Sequence, residues 1–455
     1  MEPELVLINP WIHDFAAYDL WSKPLGLLYL AAYLRDSGFK VHLIDCLDIH
    51  HPEMMKTPGF LQPTRRKYGT GKFWRQEVVK PPGLEHIPRP YSRYGISPKL
   101  FLKELQKVKN PSAILITSMM TYWYPGVKEA IALCRKAHPR VPVILGGLYA
   151  KLCEHHALRF SGADKIITQG GMQAIKVAVE MLDYSGTKKA KALTSLDDLP
   201  FPAFDLLRAI DYVCILTSMG CPYRCKYCAS PLINPRFLRR DPAHIMEEVI
   251  YWHKDYKIRD FAFYDDALLV DSENHICIFL EKLVKLNLGL RFHTPNALHV
   301  KEITPDVAYL INKAGFRTIR LGLETSDPGM HRELDMKINE GEFERAVRNL
   351  QNAGFPKNEI GAYILAGLPG QSCESVLDTI EFAAKVGAMP YLAEYSPIPH
   401  TPLWENAVAQ SEYDISAEPL FHNNTLLPCW PAQKRAFFPK LKQRARELRK
   451  EMSIR

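Results

Sequence analysis

Val213-Cys-Ile-Leu-Thr-Ser218-Met-Gly220-Cys221-Pro-Tyr-Arg-Cys225-Lys-Tyr-Cys228 decides how the rest of the chain is read. The stretch begins as a short apolar strand, passes a glycine, and then sets three thiols at offsets of four and three. Three thiolates spaced this way in one loop can hold three corners of a [4Fe–4S] cluster, leaving the fourth iron open to a substrate or cofactor. A closed zinc site usually takes four ligands, commonly in paired CxxC spacing, and no matching fourth Cys or His stands nearby. The other seven cysteines, Cys46, Cys134, Cys153, Cys214, Cys277, Cys373 and Cys429, are scattered. In an intracellular chain this usage points to metal or catalytic chemistry rather than to a disulfide framework.

Downstream of the triplet, apolar runs alternate with helical patterns. Strands are predicted at 213–218, 261–264, 290–293, 318–322, 360–365 and 391–395. The helical patterns between them cover 242–256, 272–285, 305–314, 342–353 and 373–386. Six β/α repeats make a partial (β/α)6 barrel over 211–400, whose chemistry belongs at the C-terminal ends of the strands. The cysteine loop follows the first of those ends. The remainder, 401–455, is a short C-terminal extension ending in a basic helix, which reads as a solvated face.

Upstream, a second alternating series runs from residue 1 to about 195. Apolar strands at 4–8, 41–44, 113–117, 143–145 and 165–168 are spaced by helices at 25–37 and 126–138. This is the signature of a doubly wound, Rossmann-like α/β domain with a parallel sheet, which binds ligands beyond the carboxyl ends of its strands. Gly146-Gly147 and Gly170-Gly171 follow two of those ends, where backbone must approach something closely. Residues 50–98 interrupt the pattern with Arg65-Arg66-Lys67, Lys72, Arg75, Lys80, Arg89 and Arg93 among Tyr68, Phe73, Trp74, Tyr91 and Tyr94. A long insertion of this kind is ordered by its aromatics, either packed on the domain surface or closing over a substrate. Residues 196–210, with Pro200 and Pro202, read as an extended linker.

Composition bounds the rest. The chain has 455 residues, 47% of them apolar and 24% charged, which suits two or three globular domains and not a mainly disordered protein. The longest apolar stretch, 25–34, is half of the roughly 20 residues needed to cross a bilayer. An acidic N-terminus argues against a secretory signal, so a cytoplasmic location is expected. A net charge of +8 is too mild for this length to mark a nucleic-acid binder.

The triplet, with Tyr227 before its last cysteine, resembles the radical S-adenosylmethionine (SAM) superfamily, whose signature is CxxxCxxC with an aromatic at that place. The resemblance implies that the open iron is chelated by the amino and carboxylate groups of SAM, and that one electron cleaves SAM to a 5′-deoxyadenosyl radical. Phe263-Tyr264-Asp265-Asp266 is similar to the second-strand motif, whose acid accepts from the SAM ammonium. Leu321-Gly-Leu-Glu324-Thr325 resembles the fourth-strand motif, placing Glu324 on the SAM amino acid or ribose. Ile364-Leu365-Ala-Gly367-Leu-Pro-Gly370 resembles the fifth-strand motif that backs the adenine.

A doubly wound domain ahead of such a barrel resembles the cobalamin-binding class of radical SAM enzymes, over most of residues 1–405. Thr117-Ser118-Met-Met120 followed by Gly146-Gly147 is similar to the SxL…GG part of the cobalamin signature, with Met120 replacing Leu. Ser118, Gly146, Gly147, Gly170 and Gly171 are the cobalamin-binding residues this implies. Two departures stand out. The DxHxxG element that supplies a histidine to cobalt is replaced by Asn9-Pro-Trp-Ile-His13-Asp14, and many radical members also lack it. The Gly-Glu-Gly-Glu-like element appears as Gln169-Gly-Gly-Met-Gln173.

The implied reaction is cobalamin-dependent methylation of an unactivated carbon, with a second SAM restoring the methyl group. Ring formation or carbon–carbon bond formation, with cobalamin a non-methylating helper or absent, is the alternative. Methylthio transfer would need a second cluster on three N-terminal cysteines, and Cys46, Cys134 and Cys153 fall on different elements. A non-catalytic iron–sulfur or nucleotide-binding protein would leave Glu324 and the fifth-strand glycines unexplained. The expected partners are a small-molecule, lipid or peptide substrate, with an anionic one suggested by the basic insertion, and an electron donor such as flavodoxin or ferredoxin. Anaerobic chemistry is expected, and neither nucleic acid nor a transmembrane segment is.

Overall fold

A computed structural model describes residues 2–182 and 192–454. Residues 183–191, at the end of the first domain expected from sequence, lie outside the described residues. The chain divides into two compact units, Met1–Asp211 with Ala417–Leu420, and Tyr212–Ser416 with Phe421–Arg455.

The first unit is built on five parallel strands, β1 (Glu4–Asn9), β2 (Lys40–Asp45), β3 (Ala113–Ile116), β4 (Val143–Leu145) and β5 (Lys165–Ile166), in the order β5-β4-β3-β1-β2. Successive side chains of a strand point to opposite faces, and here both faces are covered. Val6, Ile8, Ile114 and Ile116 enter one core, while Leu5, Leu7, Ala113 and Leu115 enter the other. That is why the strands read as unbroken apolar runs. Helix α1 (Leu25–Asp36) covers the second face, and α2 (Pro98–Leu105) and α3 (Tyr124–Ala137) cover the first. The strand order reverses between β1 and β3, the switch point at which ligands bind in this architecture.

The aromatic part of the 50–98 insertion is packed onto this unit. Ser92–Tyr94 pairs with Ile12–Asp14 and with Arg75–Glu77 in a small antiparallel sheet. Trp74, Phe73, Tyr91 and Tyr94 are buried, the Trp74 indole donates to Ile49 O (3.0 Å), and the Tyr91 hydroxyl donates to His13 O (3.0 Å). The segment read as a linker also docks: Leu196, Leu199, Ala203 and Phe204 are buried, and Arg35 forms an ion pair with Asp205 at 2.8 Å.

The second unit holds six parallel strands, β6 (Val213–Ile215), β7 (Asp260–Phe263), β8 (Arg291–His293), β9 (Phe316–Glu324), β10 (Ile360–Ala366) and β11 (Met389–Glu394), hydrogen-bonded in sequential order. Helices α4 (Pro242–Tyr256), α5 (Ile276–Leu286), α6 (Pro305–Lys313), α7 (Glu342–Asn352) and α8 (Cys373–Val386) connect them. The helix starts are fixed by local chemistry. Asp241 and Thr304 cap α4 and α6 just before a proline at the first helical position, and Ser372 caps α8. Phe261, Phe263, Phe292 and Phe316 stack with centroids 5.5–5.7 Å apart, welding β7, β8 and β9.

The C-terminal helix α9 (Ala432–Ile454) corrects the reading of a solvated basic face. Phe438, Leu441, Ala445 and Leu448 are buried along one side. Lys442 pairs with Glu394 and Arg444 with Glu381, both at 2.5 Å, while Lys434 and Arg449 donate to the carbonyls of Gln371 and Pro390. Most of these cations fasten the helix to the sheet and to α8.

Candidate active site

The cysteine loop is positioned before its first thiol. Asp265 lies two residues past β7 and is 3% exposed. Its carboxylate accepts from the backbone N–H and hydroxyl of both Thr217 and Ser218, at 2.5–3.2 Å. Four donors on a buried carboxylate make a rigid staple across the ends of β6 and β7. Gly220 then turns at φ 85°, and a Cβ there would lie 2.4 Å from Arg236 O. Only glycine fits this step into the loop.

Within the loop, Cys228 N–H donates to Cys225 O (3.1 Å) and Ser230 N–H to Cys228 Sγ (3.4 Å). Lys226 N–H donates to Leu334 O (2.8 Å), and Lys226 O accepts from Leu403 N–H (3.0 Å), so the loop is held from two sides. All three thiols are free, with Cys225 buried and Cys221 and Cys228 half-buried. Burial raises the pKa of each, that of Cys225 to about 11. A metal centre reverses that penalty, because binding deprotonates the thiol. Among the described residues no three His, Cys, Asp or Glu side chains converge tightly enough for one metal ion. A cluster takes its thiolates at separate corners, and this donor set fits one.

Around the loop stand Asp266, Glu324 and a lysine that sequence reasoning did not single out. Asp266 accepts from Ser230 Oγ (2.6 Å). Glu324 ends β9 at φ 61°, a left-handed conformation that is costly for a residue with a side chain. Such strain persists where surrounding structure enforces it, often at functional sites. Lys337 Nζ lies 3.7 Å from Glu324 Oε1 and donates to the Tyr227 hydroxyl at 3.1 Å. Its ammonium also interacts with Cys225. The Tyr227 hydroxyl donates to Asp335 Oδ2 (3.1 Å), and Asp335 Oδ1 meets His331 Nδ1 at 3.0 Å.

His331 Nε2 faces Thr325 O at 2.9 Å. A carbonyl only accepts, so Nε2 donates, and the bond from Nδ1 to the carboxylate makes the ring an imidazolium. Burial opposes that charge, yet Asp335 and Thr325 O outweigh it and push the pKa up. Glu324, Lys337, Tyr227, Asp335 and His331 thus form one connected set beside the thiols. Two further residues brace the loop. The Tyr223 ring lies 4.4 Å from the ring of His299, and its hydroxyl donates to Glu302 (3.1 Å).

At the end of β10, Gln371 closes the turn. Its Oε1 accepts from the N–H groups of Gly367 and Leu368, and its Nε2 donates to Leu365 O (2.9 Å). The side chains of Leu365 and Tyr227 pack in one apolar cluster. The structure therefore brings the three cysteines, Tyr227, Asp266, Glu324 and Leu365 to one end of the sheet, and gives Asp265 to the loop backbone.

In the first unit, Ser118, Gly146, Gly147, Gly170 and Gly171 follow the C-terminal ends of β3, β4 and β5. Ser118 Oγ donates to Gly146 O (2.7 Å), and a Cβ on Gly147 would lie 2.2 Å from Ser118 O. The two strand ends touch through glycine and serine, the close approach that Gly-Gly allows. Gly146 is open on its free side, where a Cβ would meet only Ile167 at 3.8 Å. A corrinoid tail between these strand ends is compatible with that space. His13 is 2.9 Å from Glu129 and is committed there.

Residues 215–383 match the radical SAM superfamily. The chain is 23% identical over 348 residues to an uncharacterised methyltransferase of Pyrococcus horikoshii, covering 70% of this chain and 74% of the relative. It is 26% identical over 294 residues to the hopanoid C-2 methylase of Rhodopseudomonas palustris, covering 60% and 54%. Its fold is similar to the radical SAM methyltransferase TsrM of Kitasatospora setae, solved with tryptophan and a SAM analogue, at a TM-score of 0.62 and 16% identity over 90% of this chain and 78% of that one.

Proposed function

The chain carries a radical SAM domain with the fold of cobalamin-dependent radical SAM methyltransferases, and from that premise we propose that it methylates an unactivated carbon of an organic substrate. The observation that carries this reading is the set at the C-terminal end of one sheet: three free thiols in a stapled loop, with the Glu324–Lys337 pair beside them. When bound, the cluster would supply the electron that cleaves SAM, and the corrinoid would supply the methyl group.

Each residue has a task. Cys221, Cys225 and Cys228 hold the cluster, and the Ser230 N–H tempers charge on the Cys228 sulfur. Asp265 keeps the loop in register, whereas Asp266 and Glu324 are the acids left to meet the SAM ammonium or ribose. Lys337 offsets negative charge among thiolates, Glu324 and the SAM carboxylate. Tyr227 and Leu365 form an apolar wall that excludes water. Ser118, Gly146, Gly147, Gly170 and Gly171 make room for cobalamin, with no histidine offered to cobalt by the His13 loop. A low-potential protein such as a flavodoxin or ferredoxin would deliver the electron, in the cytoplasm.

The test is anaerobic. Protein from cobalamin-supplied cells, reconstituted with iron and sulfide, should carry corrinoid and form 5′-deoxyadenosine from SAM after reduction. Deoxyadenosine without corrinoid, even after cobalamin is added, would replace methyl transfer with ring-forming or carbon–carbon bond-forming radical chemistry.

A further inference from the structure

Segment 50–98 carries nine Lys and Arg against three Glu, so a net +6 of the chain's +8 resides in it. Its aromatic part is packed, as described above, but its tip is not. Residues 61–75 fold back as a ribbon: Leu61 bridges Arg75, Arg65 bridges Gly71, and Gly71–Lys72 pairs with Tyr18–Asp19. Arg65 anchors the ribbon through Asp19 at 2.8 Å. The cations beyond that anchor have no acidic partner among the described residues. Arg66 lies over the Tyr18 ring (5.7 Å), Lys67 over the Tyr68 ring (4.9 Å), and Lys72 is exposed. Large apolar side chains on and beside the ribbon face water: Tyr18 (44% exposed), Leu20 (50%), Leu61 (59%) and, touching Gln62, Met55 (65%).

Free cations interleaved with exposed apolar and aromatic groups meet two requirements at once. The cations seek a negative surface, and the apolar groups seek to leave water. A small anionic substrate would instead need enclosure. The nearby cavity of about 220 Å³ in this unit is lined by Asp45, His50, His51, Glu104 and Arg208, and by none of the tip cations. No helix of the described residues is long and apolar enough to span a bilayer. We propose that the 61–75 ribbon, with Tyr18 and Leu20, docks the protein on an anionic lipid surface. Arg66, Lys67 and Lys72 supply the electrostatic attraction, and Tyr18, Leu20 and Leu61 enter the interface.

The experiment is co-sedimentation of the full chain with phosphatidylcholine vesicles, with and without phosphatidylglycerol. The protein is expected to partition onto the anionic vesicles and not the neutral ones. It should detach at about 0.5 M salt, where charges more than a few ångström apart are screened. Each cation near the surface contributes roughly fivefold to partitioning, so R66A/K67A/K72A should lose about a hundredfold while keeping the melting temperature of the parent. L20S/L61S should weaken binding and leave its salt dependence intact. Equal binding to neutral vesicles, unchanged binding of the triple variant, or salt-insensitive binding would overturn the proposal. So would retention on polyphosphate with no vesicle binding, which would assign the ribbon to a soluble polyanion. The wild-type salt titration decides even if a variant fails to fold.

Discussion

Lys337 Nζ donates to the Tyr227 hydroxyl at 3.1 Å across 110 residues of sequence, and the same ammonium lies 3.7 Å from Glu324. One buried cation thus joins the cysteine loop to the end of β9. Removing one partner from a buried charged set costs about 3–5 kcal/mol, because the other charge is left uncompensated.

Lys337→Gln should keep iron binding and weaken SAM binding. A loss of about tenfold to a hundredfold in SAM affinity is expected, the worth of one charge-assisted hydrogen bond. Titration of reconstituted protein with SAM by electron paramagnetic resonance checks it, since SAM binding changes the cluster signal. Unchanged affinity would remove Lys337 from the site.

Glu324 separates stability from function. Its left-handed backbone stores about 1–3 kcal/mol, which Gly would release. Glu324→Gly and Glu324→Ala both take the carboxylate from Lys337 and should lose SAM binding, but only Gly releases the strain, so Glu324→Gly should melt higher than Glu324→Ala. Equal melting temperatures for the two variants would show that the backbone at Glu324 stores no strain, and retained SAM binding in both would remove the carboxylate from the site.

Gly220→Ala places a Cβ against a backbone carbonyl at positive φ. Destabilisation by at least about 2 kcal/mol is expected, or a displaced loop with reduced iron content. Denaturant unfolding and iron analysis distinguish the two.

The His331–Asp335 pair predicts a pH dependence. The His331 pKa is raised in the folded state, so its contribution is full below the ordinary value of about 6.5 and disappears as pH rises through the raised value. Asp335 behaves oppositely. Burial works against its charge, but His331, the Lys337 N–H and the Lys337 ammonium hold its pKa down. Its contribution is present above the ordinary value and lost as pH falls through the lowered one. His331→Gln should flatten the neutral-to-alkaline limb of a stability–pH profile measured by thermal melting. A parallel profile in the variant would show that the ring carries no charge.

Local signals made much of the fold and part of the site legible in sequence. The strands read correctly because their side chains feed two cores in alternation, and α4 and α8 read to their end residues because proline, Asp241 and Ser372 mark their starts. The cysteine triplet is contiguous, so its spacing carries its chemistry. What stayed hidden depends on distance. Asp335 and Lys337 sit in an unremarkable Asp-Met-Lys turn, with His331 on the short helix just before it, and only the approach of β9 to the loop gives them meaning. Asp265 and Asp266 are neighbours in sequence with different tasks, which the direction of each side chain alone separates. The basic residues of α9 resemble a solvated face until Glu381 and Glu394 are placed opposite them.

The central claim is that Cys221, Cys225 and Cys228 hold a SAM-cleaving cluster. It is tested most directly by anaerobic reconstitution of the parent and Cys225→Ala, with iron, sulfide and 5′-deoxyadenosine measured on the same samples. The parent should bind about four irons per chain and form deoxyadenosine once reduced, and the variant should do neither. Equal iron in both proteins, or an intact cluster in the parent that never cleaves SAM, would contradict the account.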